Sequence, residues 1–204
     1  MQGISGLRVT ATLVAVAAAG TFTAQAHAGV LAKSKFDTNA EGWKVVGDTG
    51  SGTETATHVP TGGDPGGFIS IDDAATGGVM FWRSPQTFRK AAANAYKGSL
   101  WFSLRQSATD NQFDDNDIVL EGAGLTLVYD TSPNPAIAPE WTRYEVALSK
   151  AGWTDMTGSP EPATARDMKD ALKDVDSLLI RAEYQTGPEI DDLDSVKLKS
   201  KPKN

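Results

Sequence analysis

The chain of 204 residues contains no cysteine and only two histidines. Without thiols there is no disulfide, no thiolate metal site and no cysteine nucleophile. His27 falls in a leader expected to be removed, so His58 is the one imidazole left for chemistry. A Ser-His-Asp triad or a His-based zinc site would have to be built around that single residue on an edge strand. The plainer reading is a surface histidine with no chemical role. Carboxylates are plentiful, but no feature selects one acid and one base for glycoside hydrolysis, so no enzyme is expected.

Basic clusters and long apolar runs are scarce too. Nineteen Lys and Arg stand against 26 Asp and Glu, a formal net charge of −7. That balance argues against binding the phosphate backbone of nucleic acid, which needs a basic face. Four lysines between Lys197 and Lys203 read as a solvated terminus. The longest apolar run, Val9 to Gly20, follows Arg8 and leads to Ala26-His27-Ala28, with small residues where a signal peptidase reads. It is too short for a membrane span. Residues 1–28 are therefore expected to be a signal peptide cut before Gly29. Residues 29–199 form one domain and 200–204 a flexible tail, so the product is secreted or periplasmic, with no membrane span. Loss of the leader removes one positive charge, taking the net from −7 to −8 over the remaining 176 residues, a length that suits one core.

What is present is alternation. Asp117 to Tyr129, DIVLEGAGLTLVY, places two apolar runs around Gly122-Ala123-Gly124 and reads as a β-hairpin. Leu100, Phe102 and Leu104 alternate with Trp101, Ser103 and Arg105. Tyr144, Val146 and Leu148 alternate with Trp141, Arg143 and Glu145 in the same way. Leu178, Ile180, Ala182 and Tyr184 oppose Leu179, Arg181 and Glu183. Leu193, Val196 and Leu198 make a closing strand, with Ile190-Asp191-Asp192 in the turn before it. Shorter strands are expected over Val30 to Phe36, Lys44 to Val46, Thr53 to Val59, Phe68 to Ile71 and Val79 to Arg83.

Residues 60–67, PTGGDPGG, read as an irregular loop with several positive φ angles. A phosphate-binding role fails because no Lys-Ser/Thr and no helical pattern follows. Thr164 to Asp167 supplies a helix N-cap before Met168, Leu172 and Val175, predicting one short helix over 165–173. Residues 86–96 fit either a helix or an irregular crossover. Nine or ten strands without βαβ recurrence predict an all-β antiparallel sandwich.

Six pieces of the chain, in order, resemble the laminin B domain, or laminin domain IV. They are EGW at 41–43, GGDPGGFISIDD at 62–73, SPQTF at 84–88, DIVLEGAGLTLVY, WTRYEVALSKAGW and DMKDALKDVDSLLIRAEY. That family occurs in animal basement-membrane laminins and alone in secreted bacterial proteins, and the missing cysteines fit the bacterial form. The resemblance implies a jelly roll akin to galactose-binding-like and carbohydrate-binding modules. Such modules commonly hold a structural Ca²⁺ where the first strand meets the last. The matching positions here are Asp37 in FDTNAEGW and Asp194 in DLDSV, with Asp72 or Asp73 as an added ligand. Ser195 departs from the Leu-Asp-Asp-Val-like run of many relatives, and ordinary turn aspartates would account for the same residues.

Sugar-binding modules stack pyranose faces on exposed aromatics beside planar polar groups. Trp101, Arg105, Trp141, Arg143, Glu145 and Arg181 all fall opposite the apolar sets, and would form one such face if their strands share a sheet. A helix or crossover loop lying over that face would instead make them second-layer packing. The expectation is a monomeric, secreted, non-catalytic module that binds a glycan or matrix component; the alternative is an adhesive protein-interaction module of the cell envelope.

Overall fold

The computed structural model describes residues 28–50, 52–73 and 77–203. The expected signal peptide lies outside the described residues except for Ala28. Among the described residues, fifteen strands and two short α-helices follow one another in chain order. The strands are β1 Val30–Lys33, β2 Lys44–Gly47, β3 Thr53–Thr55, β4 Thr57–Gly63, β5 Gly66–Asp73, β6 Met80–Arg83, β7 Ser99–Gln106 and β8 Ile118–Gly122. They continue with β9 Leu125–Tyr129, β10 Ala136–Ile137, β11 Thr142–Ala147, β12 Thr154–Asp155, β13 Glu161–Pro162, β14 Val175–Arg181 and β15 Glu189–Lys199. Helix α1 covers Gln86–Ala91 and α2 covers Ala165–Lys173.

Two sheets stack face to face. One runs β10-β7-β15-β5-β4, with β1 on β15 and β11 on β7; the other runs β13-β12-β9-β8-β14-β6-β2-β3. All these pairings are antiparallel except β10 with β7. The alternating apolar sets account for the interior. Leu100, Phe102, Leu104, Tyr144, Val146, Leu148, Leu178, Ile180, Ala182, Tyr184, Leu193, Val196 and Leu198 are all buried. Area removed from water drives this closure, at about 25 cal/mol per Å² of apolar surface. Trp43 packs edge-on against Phe36 at 6.3 Å and Phe88 at 5.4 Å, closing one end of the core.

Local chemistry sets the element ends. The central hairpin turns on Ala123 and Gly124, both at positive φ (52° and 77°), as a two-residue turn of right-handed twist demands. Helix α2 begins with a capping box in which Thr164 Oγ1 accepts from the Asp167 amide while Asp167 accepts from the Thr164 amide. Residues 86–91 are helical, so there are two short helices where one was expected.

Three other expectations change. Thr53 to Val59 is not one strand: β3 and β4 belong to different sheets. The 60–67 segment is no loose loop, because β4 runs to Gly63 and pairs with Gly66, forming a tight hairpin. Ile190, Asp191 and Asp192 lie within β15 rather than in a turn, where Asp191 and Asp192 are paired on both sides with β5 and β7. The long β15 carries a bulge at Ser195, whose φ is +53°, between Asp194 and Lys197. The extra residue leaves Leu193 inside and Asp194 outside, with Val196 and Leu198 inside beyond it.

Candidate functional site

Strand register brings five of the six predicted sugar-binding residues to the outer face of the β7-containing sheet. Glu145 pairs with Trp101, and Arg143 with Ser103. On the other flank of β7, Lys197 pairs with Trp101, Asp194 with Ser103 and Asp192 with Arg105. The face is therefore laid out in rows across the strands. One row is Glu145, Trp101, Lys197 and Lys33; the next is Arg143, Ser103 and Asp194; a third holds Arg105 and Asp192.

The tip of the β4–β5 hairpin bends over the middle row. Asp64 accepts from Arg143 Nε at 2.6 Å and from Ser103 Oγ at 3.1 Å, and it forms a second bond with the Arg143 guanidinium. The Arg143 guanidinium holds the Asp64 carboxyl below its ordinary range. The Asp64 amide donates to Asp194, and Ser195 Oγ donates to the Asp64 carbonyl at 2.6 Å. Glycine is required for this approach. A Cβ at Gly63 would stand 2.7 Å from Asp194 Oδ2, and one at Gly67 would stand 2.2 Å from the Phe36 carbonyl oxygen.

The hairpin tip divides the face into two unlike ends. At the Arg105 end everything is already engaged. The guanidinium lies 4.5 Å from the Phe68 ring and 4.3 Å from the Trp141 ring, pairs with Asp192 at 2.7 Å and donates to the Gly62 carbonyl at 3.1 Å. Trp141 Nε1 donates to the same carbonyl. Arg105 and Trp141 thus clamp the hairpin, as the covering-loop alternative predicts. At the other end Trp101 is half-buried and lines two hollows, of about 270 and 460 Å³. Arg143, with 72% of its side chain exposed, and Glu145 border them.

Arg181 is a correction. Strand β14 belongs to the other sheet, so Arg181 cannot join this face. Its guanidinium is buried between the rings of Phe113 and Tyr184, at 4.6 and 4.4 Å, and donates to the Glu183 and Phe113 carbonyls at 2.6 and 2.7 Å. It closes the floor of a separate acidic hollow of about 510 Å³ that includes Asp117 and Asp130. Burial, with Asp117 beside it, raises the Asp130 carboxyl.

The predicted calcium ligands are split as well. Asp37 and Asp194 lie on either side of the hairpin tip, close enough that Asp37 adds to the upward shift of Asp194. Burial first, then the like charges of Asp64 and Asp37, push Asp194 up to about 6. Asp72 pairs with Ile190 at the far end of β5, beside Asp48 and Glu54. Asp73, the other candidate, faces the interior opposite Glu189. The three predicted ligands do not form one site, and among the described residues no three acidic or imidazole groups converge as a metal site.

Other features were not anticipated from the sequence. His58 does have a structural role, since its Nε2 lies 2.7 Å from the Phe36 carbonyl and ties β4 to the chain just after β1. Lys197 and Lys199 belong to β15 rather than to a frayed end, and their alternation with Val196 and Leu198 was the available signal. Four carboxylates, Asp73, Glu183, Glu189 and Asp191, are buried at one end of the sandwich. Desolvation raises Glu183 to about 7, and raises Asp191 and Glu189 as well.

Two stacked sheets with a polar outer face half covered by a hairpin define a β-sandwich module. The laminin B (domain IV) model matches residues 81–203, and the chain belongs to that family. It is 30% identical over 122 residues to the basement membrane-specific heparan sulfate proteoglycan core protein of Mus musculus, a match covering 58% of this chain and 3% of that protein. It is 26% identical over 117 residues to the basement membrane proteoglycan of Caenorhabditis elegans, covering 57% of this chain and again 3% of the relative. The chain thus spans only a few per cent of the length of the curated relatives it matches. The L4b domain of human laminin alpha-2 shares the fold, with a TM-score of 0.63 at 18% identity over 83% of this chain and 96% of that one. Among the described residues no helix is long and apolar enough to cross a membrane.

Proposed function

We propose that this is an exported, non-catalytic binding module that holds an extracellular glycan in the groove around Trp101. The observation that carries this is the half-buried Trp101, which lines two hollows and is flanked by Arg143 and Glu145 on the neighbouring strand. An indole offers a flat apolar face to a pyranose, and planar charged side chains alongside can bracket ring hydroxyls. Arg105, Trp141 and Arg181 are structural in this reading, because they clamp the hairpin or close the other sheet; Arg143 is also bonded to Asp64 but keeps 72% of its side chain exposed to a ligand.

A second reading, adhesion through protein contacts, draws on the relatives, whose names place them in basement membranes. Glycan-array screening of the mature domain separates the two. Glycan retention abolished by Trp101→Ala supports the groove; no glycan signal, together with reproducible capture of an extracellular matrix protein, supports adhesion.

A further inference from the structure

The sugar reading leaves the charge of the ligand open, and the groove's lysines bear on it. On a chain with net charge −7, Lys197 and Lys33 face each other across β15 and β1 on the Trp101 row. Lys199 follows two residues on, on the same side, with its Nζ 3.7 Å from the centre of the Trp101 ring. Lys97 lines the hollow that Lys199 also lines. Like charges directly opposite on neighbouring strands oppose pairing, so the fold does not ask for them. Lysine on an edge strand discourages stray strand addition, which accounts for Lys33. It does not account for Lys197 and Lys199, which lie where β15 is paired on both sides, by β1 and β7. Among the described residues no carboxylate lies within ion-pair distance of any of these four lysines; Lys197 acts on the Asp64 carboxyl across the hollow they both line, whereas Lys199 has only the Trp101 ring.

Resting on the sugar reading of this groove, we infer that its ligand is an acidic saccharide whose carboxylate or sulfate groups pair with Lys197 and Lys199 while a pyranose stacks on Trp101. Lys199 acts as a cover: its ammonium occupies the indole face by cation–π attraction until an anionic group on the incoming sugar draws it aside. A neutral sugar must displace the same ammonium and offers it no replacement charge.

The test uses the mature full-length domain in titration calorimetry at low and at physiological salt. The probes are a galacturonic acid hexasaccharide, its sulfated counterpart and a neutral cellohexaose. The acidic probes are expected to bind at least about tenfold more tightly than the neutral one, with affinity falling as salt rises. Lys197→Ala with Lys199→Ala should erase that preference with only a small change in melting temperature, and Trp101→Ala should weaken all sugars. Stronger binding of the sulfated hexamer would identify sulfate as the preferred group, and equal binding of the two acidic probes would show that charge suffices. Equal, salt-insensitive binding of neutral and acidic hexamers would overturn the charge inference and leave the sugar reading standing. Binding of no hexamer at all sinks both. Retention of acidic probes by the Trp101→Ala protein at full strength would also overturn the inference, because charge alone would then be the ligand.

Discussion

Lys199 sits 3.7 Å above the Trp101 ring, so the open aromatic of the outer face is not bare but capped by the chain's own cation. Removing that cation uncovers the indole. Lys199→Ala is expected to increase quenching of Trp101 fluorescence by acrylamide, with the buried Trp43, Trp82 and Trp153 and the engaged Trp141 as the constant background. Unchanged quenching would mean that the ring is already open or otherwise shielded.

The two arginines of this face should behave differently. Arg105 is enclosed by two rings and paired with Asp192, the two side chains being 11% and 9% exposed. Arg105→Ala should destabilise by about 2–3 kcal/mol, because it empties the clamp and strands a buried carboxylate. Arg143→Ala should cost less, at most about 1 kcal/mol, because the arginine of that pair is exposed although it holds Asp64 through two bonds. Chemical denaturation of both variants decides it, and equal losses would contradict the two-ended description of the face.

Acid should stabilise this protein relative to mild base. Glu183 is raised from 4.5 to about 7, so the folded state holds a proton that the unfolded chain releases. Stability contributed by that proton is complete below about 4.5 and is lost as pH rises through about 7. Each unit of displacement corresponds to about 1.4 kcal/mol. Asp194, raised to about 6, and the upward shifts of Glu189 and Asp191 act in the same direction. Both Asp191 oxygens and Glu189 Oε2 lack a hydrogen-bond donor, which a proton shared between these two neighbours would supply. The melting temperature is expected to fall between pH 5 and pH 8, and Glu183→Gln should flatten that fall. A melting temperature that rises over this interval would reject the account.

Calcium is proposed only at Asp37 with Asp194. A divalent cation there would relieve the like-charge pressure on Asp194, so Ca²⁺ should raise the melting temperature and chelator reverse it, by linkage. Asp194→Asn should remove both responses. A melt indifferent to Ca²⁺ and to chelator takes calcium out of the picture.

Export is checked by mass. The secreted protein is expected to begin at Gly29 or within a few residues of it. An intact mass that includes residues 1–28 would contradict the leader.

Much of the fold was legible because short-range alternation encodes it. Leu100, Phe102 and Leu104 declare their side of β7 whatever strand lies next to it, and Thr164 with Asp167 declares the start of α2 by local hydrogen bonding. The spacing of Leu193 to Val196 even hinted at the bulge, since a step of three between inward positions breaks a period of two. What alternation cannot say is which strands are neighbours. Arg181 and Arg105 read alike, yet one strand lies in each sheet, and only long-range pairing separates them. The hairpin tip was illegible for the same reason. Nothing within PTGGDPGG tells that Asp64 will reach Arg143, Ser103 and Asp194 on three different strands.

The bulge at Ser195 carries one further consequence. Its residue is supernumerary to the in-and-out rhythm of β15, so deleting it would leave Val196, Lys197 and Leu198 on the sides they now occupy. What would be lost is the hydroxyl that fastens Asp64. One codon thus serves as a latch rather than a beam: a shortened strand stays knitted into the sandwich while the flap above Ser103 gives up one of its fastenings and keeps those to Arg143, Ser103 and Asp194.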